Sequence, residues 1–337
     1  MKSIHSAVKI LLGAVAMGIL ILDAGTALQG AAEGIALCLR SVIPSLFPFL
    51  ILSGYLTGNI IGSSFPFSKY LCKFCRIPMG SEGILLTGLL GGYPTGARSV
   101  SQAYEAGKLT LDEAQRMLGF CSNAGPAFVF GMLGPCFSTP AVLWILWGIH
   151  ILSAVIVGIL LPGKNENRII TAPGQGISFP SALERAVRTM AVICGWVVLF
   201  RVIITFTERW FLWVLPQPVQ ILFCGLLELT NGCLRLAEID HEATRFMMAC
   251  LFLTFGGICI GTQTISVTKN LGTGMYFPGK LLQASVSVLI CGIVQPFLFP
   301  GSGFPWILPT GIIFSGLLLV FLHIRENNSS NFELQGV

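Results

Sequence analysis

The chain has 337 residues, of which 54% are hydrophobic and only 10% are charged, and its formal net charge is +5. Soluble domains average about 25% charged residues, so this composition excludes a water-soluble fold, a disordered chain and a nucleic-acid-binding protein. The mean hydropathy of +0.80 agrees, and the sequence predicts a polytopic protein embedded in the lipid bilayer.

Ten apolar stretches have about the length that crosses a bilayer. They lie near 8–28, 42–61, 83–97, 117–136, 140–161, 183–206, 211–234, 246–265, 280–299 and 304–324. The first follows two lysines and resembles a signal peptide, but no clear cleavage site comes after it. We therefore interpret it as an uncleaved first span.

Two of these stretches cannot be ordinary membrane helices. Four glycine and proline residues fall within 91–96, and one proline inside a helix costs about 3 kcal/mol. The stretch 221–233 carries Glu228, Thr230 and Asn231 at its centre. Broken backbone at membrane depth is tolerated only where protein or water satisfies it, so both stretches are predicted to be re-entrant or discontinuous.

The distribution of basic residues supports this interpretation. With a cytoplasmic N-terminus and eight full spans, 15 of the 20 Lys and Arg residues fall on the inner side, among them Arg98, Arg116 and Lys280. Arg201 is left within a span. The predicted fold is therefore all-α, with about eight transmembrane helices, two re-entrant or discontinuous segments, and both termini in the cytoplasm.

The two broken stretches belong to an internal repeat. Each half has a span preceded by Arg-Ser or Arg-Thr, then a segment that begins Gly-Leu-Leu, then a glycine-interrupted helix; the Gly-Leu-Leu segments are 88–96 and 225–232. In the topology above the halves have opposite orientations, and inverted repeats with discontinuous helices are typical of transporters. The predicted units are 1–30 (first span), 31–161 (first repeat), 162–182 (cytoplasmic loop), 183–324 (inverted repeat) and 325–337 (tail).

Three segments resemble a known family. SVIPSLFPFLILSGYL, the stretch from GYPTGARSV to GMLG at 92–134, and GLLELTNGC are similar to the nucleoside-recognition (Gate) domain membrane proteins, and most of all to the YlbJ-type sporulation integral membrane proteins. The resemblance covers about 35–300. It implies a role in spore formation, a place in the outer forespore membrane, and passage of dipicolinic acid.

Candidate solute-binding residues lie at the breaks. In the first half they are Gly92, Tyr93, Pro94, Thr95, Gly96 and Arg98. Broken helices expose backbone N–H groups, and an Arg fork pairs with a carboxylate, so Arg98 is the first candidate for binding an anion. An ordinary cytoplasmic loop position explains Arg98 equally well.

The interrupted helices add polar candidates. Asn123 and Gly125 lie in the first half, and Gln263 occupies a comparable position in the second. Their side chains suit a polar solute, although hydrogen bonding between helices explains them as well.

Glu228 is the sharpest single candidate because an ionisable group inside a membrane segment is costly. It is predicted to couple H⁺ or Na⁺, with Thr230 and Asn231 as solute-binding residues or neutral oxygen ligands. The alternative is a structural ion pair with Arg201.

No catalytic, metal or cofactor site is expected. The sequence has no metalloprotease, serine-hydrolase or phosphate-loop motif, and the pair Cys72 and Cys75 lacks the two further ligands of a structural zinc.

The sequence therefore predicts a transporter of a small polar anion such as dipicolinate rather than an enzyme. A transporter of a nucleoside or related metabolite and a non-transporting membrane component of spore formation stay open, as does a homo-oligomer.

Overall fold

The computed structural model describes residues 2–60, 68–163, 176–268 and 270–302, with several positions between 310 and 324. Its elements in this part of the chain are all helical. In chain order they are α1 (Lys2–Leu22), α2 (Ala24–Leu37), α3 (Ile43–Ile60), α4 (Ser68–Cys75), α5 (Glu82–Leu90), α6 (Thr95–Glu105), α7 (Leu111–Leu118), α8 (Pro126–Met132), α9 (Pro140–Leu160), α10 (Phe179–Trp210), α11 (Gln217–Leu227), α12 (Leu229–Arg235), α13 (Glu242–Phe255), α14 (Gly257–Val267) and α15 (Tyr276–Leu298).

Five helical segments are long and apolar enough to cross a membrane. They are Ala24–Leu56, Pro140–Leu160, Phe179–Trp210, Glu242–Val267 and Tyr276–Leu298. Their lipid-facing positions account for many exposed large apolar side chains, for example Trp144 and Phe297. The protein is an all-helical polytopic membrane protein. The predicted stretch 304–324 lies mostly outside the described residues, as do most of the loop 162–182 and the whole tail 325–337.

The beginning of the chain corrects the first two predicted spans. The first helix ends at Leu22, and Asp23 caps the next one by accepting a hydrogen bond from the backbone N–H of Thr26. Helix α2 then continues through a π-helical turn at Cys38–Val42 into α3. The connection expected at 29–41 is therefore helix, because its small residues allow another helix to approach.

That other helix is α10, which runs antiparallel to α2 and α3. A Cβ atom on Gly30 would lie 2.8 Å from the Cα of Val202, and one on Gly34 would lie 2.9 Å from the Cα of Val198. Farther along, Asn59 donates a hydrogen bond to the carbonyl of Ile177. Residue numbers fall on one helix as they rise on the other, so the two long helices cross the molecule side by side in opposite directions.

The first Gly-Leu-Leu stretch folds as a helical hairpin. Helix α5 ends at Leu90, four residues form a turn, and α6 begins at Thr95. A Cβ atom on Gly96 would lie 2.7 Å from the Cα of Gly88. Eight residues of continuous helix span about 12 Å, so the chain doubles back here and the two glycines close the hairpin.

The second Gly-Leu-Leu stretch does the same with a tighter turn. Helices α11 and α12 meet at Glu228, and a Cβ atom on Gly232 would lie 2.8 Å from the amide nitrogen of Gly225. Each hairpin is thus closed by a pair of glycines, one from each of its two helices.

The helix after each hairpin is interrupted, and each interruption packs on the tip of its hairpin. Between α7 and α8 the chain is irregular over 119–125, so the predicted span 117–136 is not a continuous helix. A Cβ atom on Gly125 would lie 3.0 Å from the carbonyl oxygen of Leu90. Helices α13 and α14 are separated at Gly256 and Gly257, whose φ angles of +80° and +79° favour glycine.

Two residues placed in loops by the charge distribution are instead buried. Arg116 is 6% exposed and donates hydrogen bonds to the carbonyls of Arg76, Gly158 and Leu161. Lys280 is 1% exposed because α15 begins one turn earlier than predicted, at Tyr276. Counting charges in sequence cannot separate such residues from solvent-exposed ones.

Candidate solute cavity at the helix breaks

The first hairpin tip is held open as a turn by glycine. Gly92 has a φ of +74°, and Gly125 approaches so closely that its Cβ would lie 3.1 Å from the amide nitrogen of Gly92. Tyr93, from the same turn, donates its hydroxyl hydrogen to the carbonyl oxygen of Leu253 in the second half. This turn therefore connects the first hairpin to α13 in the second half of the chain.

The second hairpin tip is built around a carboxylate. Glu228 is 1% exposed and caps α12: its Oε1 accepts from the backbone N–H of Thr230 at 3.0 Å. Its Oε2 accepts from both the backbone N–H and the side-chain amide of Asn231, each at 2.7 Å. A negative charge at a helix N-terminus is favourable. The sequence predicted that Thr230 and Asn231 act through their side-chain oxygens. In the structure their N–H groups instead donate hydrogen bonds to Glu228.

Arg201 is not the partner of Glu228, so the structural alternative predicted for this pair is wrong. The guanidinium pairs with Glu33 at 2.5 Å and with Glu208 at 3.3 Å. Glu33 lies on α2, in the segment that the sequence placed outside the membrane helices. The carboxylate of Glu228 has no ion pair with Lys, Arg or His among the described residues.

A cavity of about 50 Å³ lies between the two tips and the long helix pair. Six predicted site residues line it: Gly92, Tyr93, Gly125, Glu228, Thr230 and Gln263. Leu46, Phe49 and Leu50 of α3 and Ile193 and Val197 of α10 form its apolar wall. The volume accommodates a few water molecules.

Other predicted site residues lie around this cavity rather than on its surface. Gly96 closes the first hairpin, while Pro94 and Thr95 cap and begin α6. Asn231 lines a separate groove with Glu33 and Arg201. Arg98, half-buried, donates a hydrogen bond to the hydroxyl of Thr189 on α10 at 3.3 Å. Its role in anion binding stays a prediction.

Asn123 contacts Lys280, a buried charged residue that the sequence did not single out. Its Oδ1 accepts from the ammonium of Lys280 at 3.2 Å, and that ammonium also donates to the hydroxyl of Tyr93 at 3.2 Å and to Oε1 of Gln283 at 2.6 Å. The ammonium lies 5.1 Å from the centroid of the Tyr93 ring, a cation–π distance. Within the described residues it has no carboxylate partner.

The surroundings of Lys280 are polar and well connected. Gln283 donates to Oδ1 of Asn123 at 2.9 Å, and Nε2 of His150 accepts from the backbone N–H of Ala124 at 3.1 Å. We call Tyr93, Asn123, His150, Lys280 and Gln283 the lysine cluster. The spacing of Lys280 and Gln283 by three residues, on one face of a helix, could have revealed it in the sequence.

The helices that begin at the cavity differ in their caps. Glu228 caps α12, whereas α6 and α14 begin without a side-chain cap. Uncapped N-terminal N–H groups attract anions. The uncapped N-terminus of α6 and the ammonium of Lys280, which contacts Tyr93, make the first hairpin the electropositive side of the cavity, whereas Glu228 makes the second hairpin the negative side.

The pair Cys72 and Cys75 packs in the core beside the first hairpin. Both thiols are fully buried, and burial raises the pKa of Cys72 to about 12, with a further contribution from the nearby carboxylate of Glu82. No group of three or more His, Cys, Asp or Glu side chains in the described residues could hold a metal ion. Both side chains pack in an apolar core cluster with residues such as Leu85 and Phe120.

Comparison with known proteins gives one significant curated relative. The chain is 23% identical over 315 residues to the sporulation integral membrane protein YlbJ of Bacillus subtilis strain 168, and the match covers 78% of this chain and 76% of that protein. No family model matches, and no solved structure gives a significant match. The comparison supports the resemblance to YlbJ-type proteins and, with the apolar helices, an integral membrane location.

Proposed function

We propose that this protein is a sporulation-associated secondary transporter that moves a small carboxylate anion, dipicolinate in the first instance. The observation that carries the proposal is the buried ammonium of Lys280, which has only neutral partners and contacts the wall of the cavity through Tyr93. An amine buried without a counter-charge is costly to ionise, so a carboxylate that binds beside Lys280 would stabilise its charged form.

The architecture supports transport. Two hairpins closed by glycine pairs, two interrupted helices and two antiparallel long helices make up the inverted repeat that we propose for this chain. Transporters with this organisation bind solute near the bilayer midplane, where the broken helices meet. The candidate cavity lies at that meeting point.

The cavity is smaller than a solute site, and this implies movement. Sites for small molecules usually enclose about 300–1,000 Å³, whereas this cavity has about 50 Å³. Its apolar wall comes from α3 and α10, so we infer that solute enters when the hairpin tips move away from the long helix pair. Alternating access by one unit moving against the other is the expected mechanism.

A carboxylate in the enlarged cavity would bind on the electropositive side. The ammonium of Lys280 and the uncapped N-terminus of α6 supply the attraction, and Gly92 lets the backbone approach closely. Gly125 and Gln263 border the same space. Glu228 faces it from the other side and is proposed to couple H⁺ or Na⁺ to the movement.

Flux measurements in proteoliposomes test the proposal. We expect saturable uptake of labelled dipicolinate, and we expect Glu228→Gln to abolish it while the amount of inserted protein is unchanged. Saturable uptake of a nucleoside instead would reassign the solute. No saturable flux of either solute by folded protein would contradict transport and favour a structural role in spore formation.

The proposed location follows from the relative named above and from the charge distribution. We propose the bacterial cell membrane, including the outer forespore membrane, with both termini in the cytoplasm. Loss of the gene is expected to leave spores deficient in dipicolinic acid.

A further inference from the structure

Gln263 has an acceptor that its surroundings do not use. It lies on α14, is 1% exposed, and lines the cavity together with Glu228. Its Nε2 contacts the sulfur of Cys259 at 3.4 Å, but its Oε1 accepts no hydrogen bond from the described residues. An unsatisfied buried acceptor costs about 1–3 kcal/mol, so a ligand at this oxygen would remove a real penalty.

Glu228 brings a second oxygen-rich group to the same space. A carboxylate has about four acceptor positions, and three donors from α12 use part of them. These donors are neutral, and no basic side chain of the described chain pairs with Glu228. Its negative charge is therefore available to a cation in the cavity.

The end of α11, which leads directly into Glu228, has three closely spaced backbone oxygens. The carbonyl oxygens of Gly225, Leu226 and Leu227 point toward the break at Gly257, where a Cβ atom would lie 3.1–3.3 Å from them. They belong to the C-terminal, partly negative end of a helix of 11 residues. Half-helix C-termini in membrane proteins favour cations for this reason.

We propose that the cavity binds a monovalent alkali cation, Na⁺, between the carboxylate of Glu228 and the amide oxygen of Gln263. Na⁺ is a hard cation that prefers oxygen ligands, and a few waters in the cavity complete its coordination. A single carboxylate matches a single positive charge, whereas divalent sites in proteins usually gather more carboxylates. This ligand set replaces the side-chain oxygens of Thr230 and Asn231 that the sequence suggested.

The cation gives the proposed transport cycle its charge balance. This role in charge balance is the one part of the proposal that rests on the proposed function. A cation at Glu228 would cancel the negative charge that otherwise repels a carboxylate solute. By linkage, Na⁺ and the anion would each raise the affinity of the other. The electropositive side at the first hairpin and the cation at the second would then form one solute site.

Na⁺ binding can be measured without any solute. The full-length protein in detergent is heated in about 100 mM NaCl and in choline chloride of equal ionic strength. A ligand that binds only the folded state raises its stability, and we expect a melting temperature about 2–4 °C higher in Na⁺. Gln263→Leu and Glu228→Gln should each remove the difference.

Gln295→Leu is the matched control. Gln295 is also buried, with an unsatisfied Oε1, but it does not line the cavity. This variant should keep the Na⁺-dependent shift. Absence of a shift in the wild-type protein, or a shift that persists in folded Gln263→Leu, would overturn the proposal.

Flux separates this inference from the proposed function. Dipicolinate transport that is independent of Na⁺ would overturn the cation site and leave the transporter standing. A shift that depends on Gln263, in a protein that moves no solute, would support the cation site and contradict transport.

Discussion

In the first hairpin, the helix break at 91–94 faces the buried ammonium of Lys280, whereas in the second hairpin the break is formed around the carboxylate of Glu228. The backbones match: each hairpin is closed by two glycines, and each tip packs against an interrupted helix. The charges are opposite. The comparison teaches that two hairpins with similar glycine contacts can place opposite charges near one cavity.

The difference also affects how each tip is stabilised. The second tip satisfies its own helix N-terminus with Glu228, so its polar groups are largely paired within the hairpin. The first tip obtains its partners from elsewhere, because Tyr93 bonds to Leu253 and Lys280 comes from α15. We expect the first tip to respond more strongly to changes in distant helices.

The largest expected effect tests the glycine closure that the two hairpins share. Gly96→Ala and Gly232→Ala each place a Cβ atom against the backbone of the other helix of the hairpin. The Cβ atom would lie 2.7 Å from the Cα of Gly88 in the first case and 2.8 Å from the nitrogen of Gly225 in the second. Overpacking usually costs about 1–3 kcal/mol, and rigid backbone raises that cost. We expect both variants to lose the monodisperse folded protein in detergent.

Gly195→Ala provides the control, because a Cβ atom there meets nothing within 4 Å in the middle of α10. It should be neutral or stabilised by up to about 1 kcal/mol. A melting temperature like that of the wild type for Gly96→Ala would break the equivalence of the two hairpins.

The next effect tests the opposite charges that distinguish the two hairpins. Lys280→Met removes the positive charge but keeps most of the side-chain volume. In the proposed complex the ammonium and the solute carboxylate form a buried charge pair. Loss of one member of such a pair costs about 2–5 kcal/mol, which predicts at least about 30-fold weaker dipicolinate uptake, measured as the Michaelis constant in proteoliposomes. Lys73→Met, on the exposed face of α4, is the control and should transport normally. Unchanged uptake by folded Lys280→Met would remove the ammonium from the proposed site.

The smallest effect tests whether the core around Cys72 and Cys75, beside the first hairpin, is closed to solvent. The raised pKa of Cys72, about 12, leaves almost no thiolate at neutral pH, because the thiolate fraction falls about tenfold for each pH unit below that value. We expect maleimide at about pH 8 to leave Cys72 unlabelled in the native protein and to label it after denaturation. Transport by Cys72→Ser should be unchanged.

Lys73→Cys is the matched control for labelling, because position 73 is exposed on the same helix. A cysteine there should react readily under the same conditions. Rapid labelling of native Cys72 would show that the core beside the first hairpin opens to solvent. Such opening would be a further difference between the two hairpins.

Much of the architecture could be predicted from the sequence. Low charge and long apolar runs predicted the membrane class, and the continuous run 140–161 predicted α9 to within one residue. The clustered glycines and proline at 91–96, and the polar residues at 228–231, located both helix breaks. These features are local, because proline, glycine and buried charge constrain the backbone where they occur.

The segment 29–41 shows where local reasoning failed. Its small and polar residues suggested a connection, yet they form helix because Gly30 and Gly34 pack against α10 and Glu33 pairs with Arg201. Both partners lie more than 160 residues away in sequence. No window of neighbouring residues contains that information.

The sequence by itself determined that this is a membrane protein with two broken, glycine-containing segments and an acidic residue at the second break. Only the tertiary structure decided which charges meet there: it gave Arg201 to Glu33 and Glu208, left Glu228 to its own helix, and placed Lys280 against Tyr93. The physical reason is that a charge in a low-dielectric interior is defined by its partners. Those partners are brought together by helices far apart in the chain.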